Sequence, residues 1–371
     1  QLNISNVEAL KFYAQFADVV VLARELNMDQ VAKIYQDIQE ENICGRNGKK
    51  VRIEMFCHGA LCMAVSGKCY LSLHEFNRSA NRGSCMQVCR RAYTVLDKEG
   101  DVELDVDNAY IMSPKDLKTI HFINKMMQSG VRVFKIEGRA RGAEYVKHVV
   151  SAYCQAIDSC LDGTFSEEKI AAWDDSLSRV FNRGFWNGYY LGQRLGEWSP
   201  RNGSSAVEKK MYIGKITNYF KKIGVAECIL ETQNLKIGDK ILVTGETTGA
   251  YEATIDELRL DLKPVDEVKK GDVFSIKTTE VLRRNDKLFK LVLLLIGFYV
   301  LYAFQNVFDS TFYGLGKTNY MLFESVVTNT IYYGIAFILY ATNVWMPTLT
   351  GIALLFGIGN AFDSVVSLVA Y

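Results

Sequence analysis

The sequence predicts an α/β protein in three parts: the C-terminal half of a TIM-like (β/α) barrel, a small β-barrel, and three transmembrane α-helices. Three observations predict it. Strand-like and helix-like stretches alternate up to about residue 160, and short strands separated by Gly and Asp turns fill 210–283. The stretch 291–371 carries only four charged residues, Asp309, Lys317, Glu324 and Asp363. The 43 Lys and Arg balance 42 Asp and Glu in 371 residues, so no overall basic excess marks a nucleic-acid binder.

"NVEALKFYAQF" has helical spacing, and "DVVVLAREL" (Asp18 to Leu26) is an apolar run suited to a buried parallel strand. "NMDQVAKIYQDIQEE" follows as an amphipathic helix with Asn27 as its N-cap. "KVRIEMF" is the next strand, and the cysteine-rich segment after it is irregular. "NAYIMSPKDLKTIHFINKMMQSG" predicts a strand end, a cap at Ser113 with Pro114 in the first turn, and a helix closed by Gly130. "VRVFKIEGR" is a further strand, before a long helix through "EYVKHVVSAYCQAIDSCL". Such units imply a parallel sheet with covered faces. Four strands are too few to close a (β/α)8 barrel, which leaves an open sheet or a half-barrel.

The expected parts are therefore 1–163 for the half-barrel and 164–209 for a helical segment with the linker "SPRNGSSAVEKK". The small barrel occupies 210–286, and the tail 287–371 has spans at about 289–308, 319–342 and 348–371. Tyr320, Tyr340 and Trp345 suit the membrane interface, and Asp363 would be an expensive charge within its span. The opening "QLNISNVEALKFY" has no basic region followed by an apolar run. The expectation is a chain that starts inside a domain, with 1–286 cytoplasmic and the tail in a membrane.

Nine cysteines without a signal peptide point to reduced thiols in metal or catalytic use. Cys62, Cys69, Cys85 and Cys89 lie close together among glycines. Small buried cysteines are common in cores, but four together favour a shared metal. Zinc suits the spacing poorly, because only Cys85 and Cys89 form a close pair. Iron–sulfur clusters are held by four thiolates with more varied spacing. Arg78, Arg82, Arg90 and Arg91 would offset thiolate charge or bind phosphate, unless they form a solvated basic loop.

Of the four histidines, His58, His74, His121 and His148, none forms the helical pair of a zinc peptidase. Cys57 and His58 are sequence neighbours, which seldom face each other as nucleophile and base do. Glu54 and His58, near the carboxyl end of a parallel strand, are candidate catalytic groups. So are Glu137 and Arg139 of "KIEGR", at the end of another. Arg139 could grip a phosphate or organic acid and Glu137 could move a proton, or the two could pair to hold the rim. Arg183 of "NRGF", Arg82 and Arg90 are further candidates for binding an anionic substrate. Tyr219, Phe220, Lys221 and Lys222, clustered on a turn, could contact RNA or simply be solvated.

Five blocks, "IEMFCHGALCMAVSGKCYLS", "NRGSCMQVCR", "YIMSPKDL", "GVRVFKIEGRARGAEYV" and "NRGFWNGY", resemble in order the collagenase-like peptidases, family U-thirty-two, across about 1–283. The resemblance implies either peptidase activity, as the family name has it, or hydroxylation. Similar members hydroxylate the tRNA wobble uridine in prephenate-dependent chemistry, and others act on ribosomal RNA or ubiquinone. It also implies a four-iron four-sulfur cluster on Cys62, Cys69 and Cys85, with Cys89 or Cys154 as fourth ligand. Some relatives have a cysteine where this chain has Lys118. The barrel after it is similar to those of translation factors.

The expected function is iron–sulfur-dependent RNA modification, with tRNA or another RNA as partner. In the tail, "FYGLGKTNYMLFESVVTNTIYYGIAFILY" and "TLTGIALLFGIGNAFDSVVS" resemble multidrug and toxin extrusion transporters. That implies a membrane partner and a join between two genes. The rival functions are a peptidase and a transporter fragment defined by the tail.

Overall fold

The computed structural model describes residues 2–65, 68–94, 110–293 and 318–342, with 355, 358, 359, 362, 363 and 366 as separate residues. It divides into two compact units, Gln1–Leu291 and Val292–Tyr371.

The first unit opens with helix α1 (Val7–Ala14), capped by the Asn6 side chain, and strand β1 (Val19–Val21). Helix α2 (Met28–Glu40) starts in a reciprocal capping box. The Asn27 side chain accepts from the Gln30 amide while the Gln30 side chain accepts from the Asn27 amide. Its Val31, Ile34 and Ile38 are buried at helical spacing. Strand β2 (Arg52–Gly59) then buries Ile53, Met55 and Cys57 on one face and half-buries Glu54 and Phe56 on the other.

The short helix α3 (Leu71–Phe76) comes next, then β3 (Asp116–Lys118), helix α4 (Ile123–Gln128) and β4 (Val131–Glu137). Helices α5 (Ala143–Leu161) and α6 (Glu167–Arg179) and the two-residue β5 (Phe185–Trp186) complete this half.

β1 and β4 flank β2 in parallel, as the strand–helix alternation predicts. β3 breaks the pattern. It runs antiparallel to the last two residues of β2 and carries β5 as a parallel neighbour. The result is an open five-stranded mixed sheet, not half of a closed (β/α) barrel. The helix expected from Ser113 starts only at Ile123, because Asp116, Leu117 and Lys118 are drawn into strand pairing.

The second core of this unit is built from ten strands in two sheets. They are β6 (Glu208–Phe220), β7 (Val225–Leu230), β8 (Leu235–Lys236), β9 (Lys240–Gly245) and β10 (Gly249–Thr254). Then follow β11 (Leu258–Leu260), β12 (Lys263–Val265), β13 (Glu267–Val268), β14 (Val273–Lys277) and β15 (Lys287–Leu293). Eight pair in the order β10-β9-β15-β6-β7-β14-β11-β12, and β13 pairs with β8. The path ends at β10 and β12 without closing among the described residues, so the expected small barrel is an open, curled sheet. It encloses a second cluster around Ile213, Ile216, Cys228, Phe274 and Leu288.

Helix α5 joins the two cores. On one side Tyr145 and Tyr153 are buried against the first sheet. On the other, Lys147 Nζ donates to the Ala250 carbonyl at 3.0 Å. His148 meets the Glu252 carboxylate at 2.9 Å through Nε2 and the Ser176 hydroxyl at 2.9 Å through Nδ1.

In the second unit, helix α7 (Thr318–Val327) runs into a π-helical turn, Thr328–Tyr333, and then α8 (Gly334–Ala341). Asp363 accepts a hydrogen bond from the Thr328 hydroxyl. Among the described residues no helix is long and apolar enough to cross a membrane, which corrects the expectation of three transmembrane helices. A span needs about 20 residues of continuous apolar helix as well as freedom from charge. The start of the expected 289–308 span is instead the end of β15, paired with β9 through Phe289↔Leu242. The rest of that span, and most of 348–371, lies outside the described residues.

Candidate active site

The carboxyl ends of parallel strands are where sheets of this kind place their chemistry. Here Arg24 follows β1, Ala60 to Cys62 follow β2, and Glu137 ends β4 with Gly138 to Arg141 after it. The loop carrying Cys69, Cys85, Cys89 and Arg90 packs onto this edge, because Arg90 donates to three oxygens on two other segments. These are the Leu61 carbonyl (2.6 Å), the Pro114 carbonyl (2.5 Å) and the Ser113 hydroxyl (3.1 Å). Arg90 is thus a clamp for the thiol loop as well as a cation beside it. Arg82 ends a short 3-10 turn, Ala80–Arg82, and is exposed.

All nine cysteines are free thiols. Cys62 and Cys85 are exposed, and Cys69 and Cys89 are half-buried. Burial pushes the Cys89 thiol up, the Arg90 charge pulls it back, and the charges of Cys85, Cys62 and Cys69 push it up again. Cys85 accepts a long contact (4.0 Å) from the Ser72 hydroxyl, and Cys62 accepts from Arg24 Nη2 at 3.2 Å. Cys154 lies exposed on α5. Among the described residues no three His, Cys, Asp or Glu side chains stand close enough together to hold a metal ion.

His58 is buried among the rings of Tyr145, Tyr153 and Phe185. The Tyr153 hydroxyl donates to the Cys57 carbonyl (2.7 Å) and so can only accept from His58 Nδ1 (3.3 Å), which places the imidazole proton on Nδ1. Burial lowers its pKa to about 3, and the charges of Lys118 and Arg141 act the same way. An unfolded histidine titrates near 6.5. Stability is therefore fully present above pH 6.5 and falls between about 6.5 and 3, where the unfolded chain binds a proton that the folded chain refuses. The loss should reach about 1.4 kcal/mol per pH unit at full slope. Unfolding free energies of wild type and His58→Asn at pH 7 and pH 5 check this: equal pH slopes would rule it out.

Cys57 donates to the Lys135 carbonyl at 3.4 Å, and burial pushes its thiol far up. Cys57 and His58 therefore do not form a nucleophile–base pair. Glu54 pairs with Lys135 at 2.9 Å. The Glu137 carboxylate accepts from the Arg139 backbone amide (3.0 Å), so this pair meets through main chain while the Arg139 residue is exposed.

Two groups at the centre, Asp116 and Arg141, were not among the residues that the sequence singled out. Asp116 is 1% exposed and accepts from Arg141 Nη2 at 2.9 Å, with Arg183 Nη1 at 3.6 Å. The two guanidiniums lie over the Phe181 ring, at 4.0 Å for Arg141 and 5.2 Å for Arg183. Burial raises the Asp116 pKa, and Arg141, Arg183 and Arg90 oppose it. Burial and the neighbouring Arg90 charge lower Arg183 to about 10. Three cations thus share one buried carboxylate. The only trace in the sequence was their presence in "SPKDL", "GRARG" and "NRGF".

Residues 1–200 match Peptidase family U32. This chain belongs to that family. A collagenase of Porphyromonas gingivalis (strain W83) is 62% identical over 290 residues, covering 78% of this chain and 70% of the relative. Two less similar relatives bear RNA names. A 23S rRNA 5-hydroxycytidine synthase of Escherichia coli (strain K12) is 32% identical over 267 residues, covering 69% of this chain and 38% of that one. The tRNA hydroxylation protein P1 of Bacillus subtilis (strain 168) is 31% identical over 272 residues, covering 70% and 60%. These matches support the U32 resemblance read from the five blocks. They lend no support to a transporter-like tail or to a join between two genes.

Proposed function

We propose that this U32 chain is an RNA-modifying enzyme of the hydroxylating kind, acting on a base in tRNA or ribosomal RNA. The observation that carries the reading is the thiol loop clamped onto the sheet edge by Arg90, with Arg24 on the Cys62 sulfur, beside a Cys57–His58 pair that is too buried to act as nucleophile and base. The RNA-modifying relatives supply the substrate class.

The donor set suits an iron–sulfur group in kind: four thiols, of which three act on the fourth through space, with arginines around them. Cys62, Cys69, Cys85 and Cys89 are the residues that would hold it, and among the described residues no three of them stand close enough together to do so. Such a group supplies one-electron transfer when bound. Arg139 and Arg82, both exposed, would meet RNA phosphates. Arg183 and Arg141 offer positive charge inside it to a carboxylate such as that of a prephenate-derived co-substrate. Glu137, the last residue of β4, is the carboxylate at this edge that would take or give a proton, whereas Glu54 lies near the start of β2 in an ion pair with Lys135. His58 keeps the end of β2 packed.

The expected result on anaerobic reconstitution is stoichiometric iron and sulfide in the wild type. Cys62→Ser, Cys69→Ser and Cys85→Ser should each lose most of it. Wild type that takes up no iron would sink the cofactor assignment. Mass spectrometry of RNA nucleosides from cells with and without the gene tests the substrate, the expected change being loss of a hydroxylated pyrimidine. A peptidase is the second reading, favoured by the name of the 62% identical relative. Unchanged nucleosides together with gelatin cleavage by the pure protein would establish it instead.

A further inference from the structure

A cavity of about 360 Å³ lies between the start of α5, the end of α6 and strands β6, β9 and β10, where the two cores of the first unit meet. That volume falls within the range of small-molecule sites. Val180, Phe181 and Leu242 give it an apolar wall, and Glu144 and Glu208 stand on its polar side.

The cations around this cavity already have acceptors. Arg179 donates to Asp175 through Nε (3.1 Å) and Nη2 (2.6 Å), and Arg141 donates to Asp116. His148 uses both ring nitrogens, on Ser176 and on Glu252. Lys210 Nζ donates to Glu144 Oε1 at 2.5 Å, and Lys209 is exposed. The acceptors are less well served. Glu144 Oε2 is buried and has no hydrogen-bond partner. The Glu208 side chain, 10% exposed, is met by Arg179 at 3.4 Å and by Lys240 at 3.9 Å.

A buried carboxylate oxygen without a donor carries the full cost of its lost hydration. Glu144 lies in the first turn of α5, where negative charge suits the helix. That accounts for its charge, but not for an oxygen sealed from water without a donor. Gly142 makes the position possible, since a Cβ there would collide with both Glu144 oxygens. What the cavity lacks is a donor, and a cationic donor suits a carboxylate best.

We propose that this cavity is a binding site for a small aliphatic diamine. One ammonium group donates to Glu144 Oε2, the other faces Glu208, and the carbon chain lies along Val180, Phe181 and Leu242. The proposal rests neither on the RNA reading nor on any cofactor.

Calorimetric titration of the full chain with 1,4-diaminobutane tests it, alongside thermal unfolding. Succinate, four carbons long with two negative charges, is the comparison ligand. Wild type is expected to bind one diamine per chain, to unfold at a higher temperature in its presence, and to leave succinate unbound. Glu144→Gln should weaken diamine binding about tenfold, because the buried acceptor loses its charge. Glu208→Gln should weaken it in the same direction. Glu246→Gln, which removes an exposed carboxylate from the β9–β10 turn, should match wild type. A wild type that binds no diamine, or that binds succinate more tightly, overturns the proposal. So does an equal loss in Glu144→Gln and Glu246→Gln, which would mark general attraction to surface charge. If Glu144→Gln does not fold, the decision passes to Glu208→Gln, and wild-type affinity there overturns the proposal.

Discussion

Asp116→Asn is expected to cost the folded chain about 3–5 kcal/mol, the largest effect of any single substitution at this edge. The carboxylate is 1% exposed, and the side chains of Arg141 and Arg183 beside it are 6% and 11% exposed. Removing the negative charge leaves these two cations, with Arg90 nearby, in a place that water cannot reach to screen them. Asparagine keeps the shape, so the loss reports charge rather than a cavity. Chemical denaturation of wild type and variant measures it. A second comparison separates pairing from packing: Asp116→Asn combined with Arg141→Met should recover part of the loss, because one of the stranded cations is gone. A loss under about 1 kcal/mol for the single variant would mean that the cluster is already open to solvent or counter-ions.

Gly59→Ala carries the second large effect, expected at about 1–3 kcal/mol. Gly59 has φ +107°, a conformation that side chains resist, and a Cβ there would lie 2.4 Å from the Glu137 carbonyl oxygen and 2.9 Å from the Tyr145 hydroxyl. Neither neighbour yields easily. The Glu137 carbonyl belongs to β4, which pairs Glu137 with Gly59, and it accepts from Tyr145 at 3.1 Å. Opening this corner would also displace Ala60 to Cys62, the residues that Arg24 grips. Gly163→Ala is the natural control: its φ is +75°, but nothing lies within 4 Å of the added carbon. If the two variants lose equal stability, the close approach at Gly59 is not what matters. Hydrogen exchange should show the difference locally, as faster exchange of the β2 and β4 amides in Gly59→Ala alone.

What could be read in advance followed periodicity. Val31, Ile34 and Ile38 on α2, and Ile53, Met55 and Cys57 on β2, are spaced as their elements demand, and Asn27 caps as its side chain allows. The crowding of cysteines in one segment was legible, yet among the described residues no three of them stand close enough together to hold a metal ion. β3 was not. Its three residues look like the start of a helix after Ser113 and Pro114, and only pairing with His58 and Gly59, more than fifty residues earlier, makes them a strand. Asp116, Arg141 and Arg24 escaped for a related reason, since each has its decisive partner on another element. The tail misled in another way: lack of charge was visible, whereas the π-helical turn between α7 and α8 leaves no mark in composition.

Helix α5 gives the molecule a mechanical property. Tyr145 and Tyr153 fasten it to the ends of β4 and β2, and Lys147 and His148 fasten it to β10. These anchors fall within nine residues of one rigid rod, about 12 Å at the helical rise. The two sheets therefore share a spindle and cannot slide past each other without breaking it. A displacement of the second sheet at β10 is therefore passed along α5 to the ends of β2 and β4.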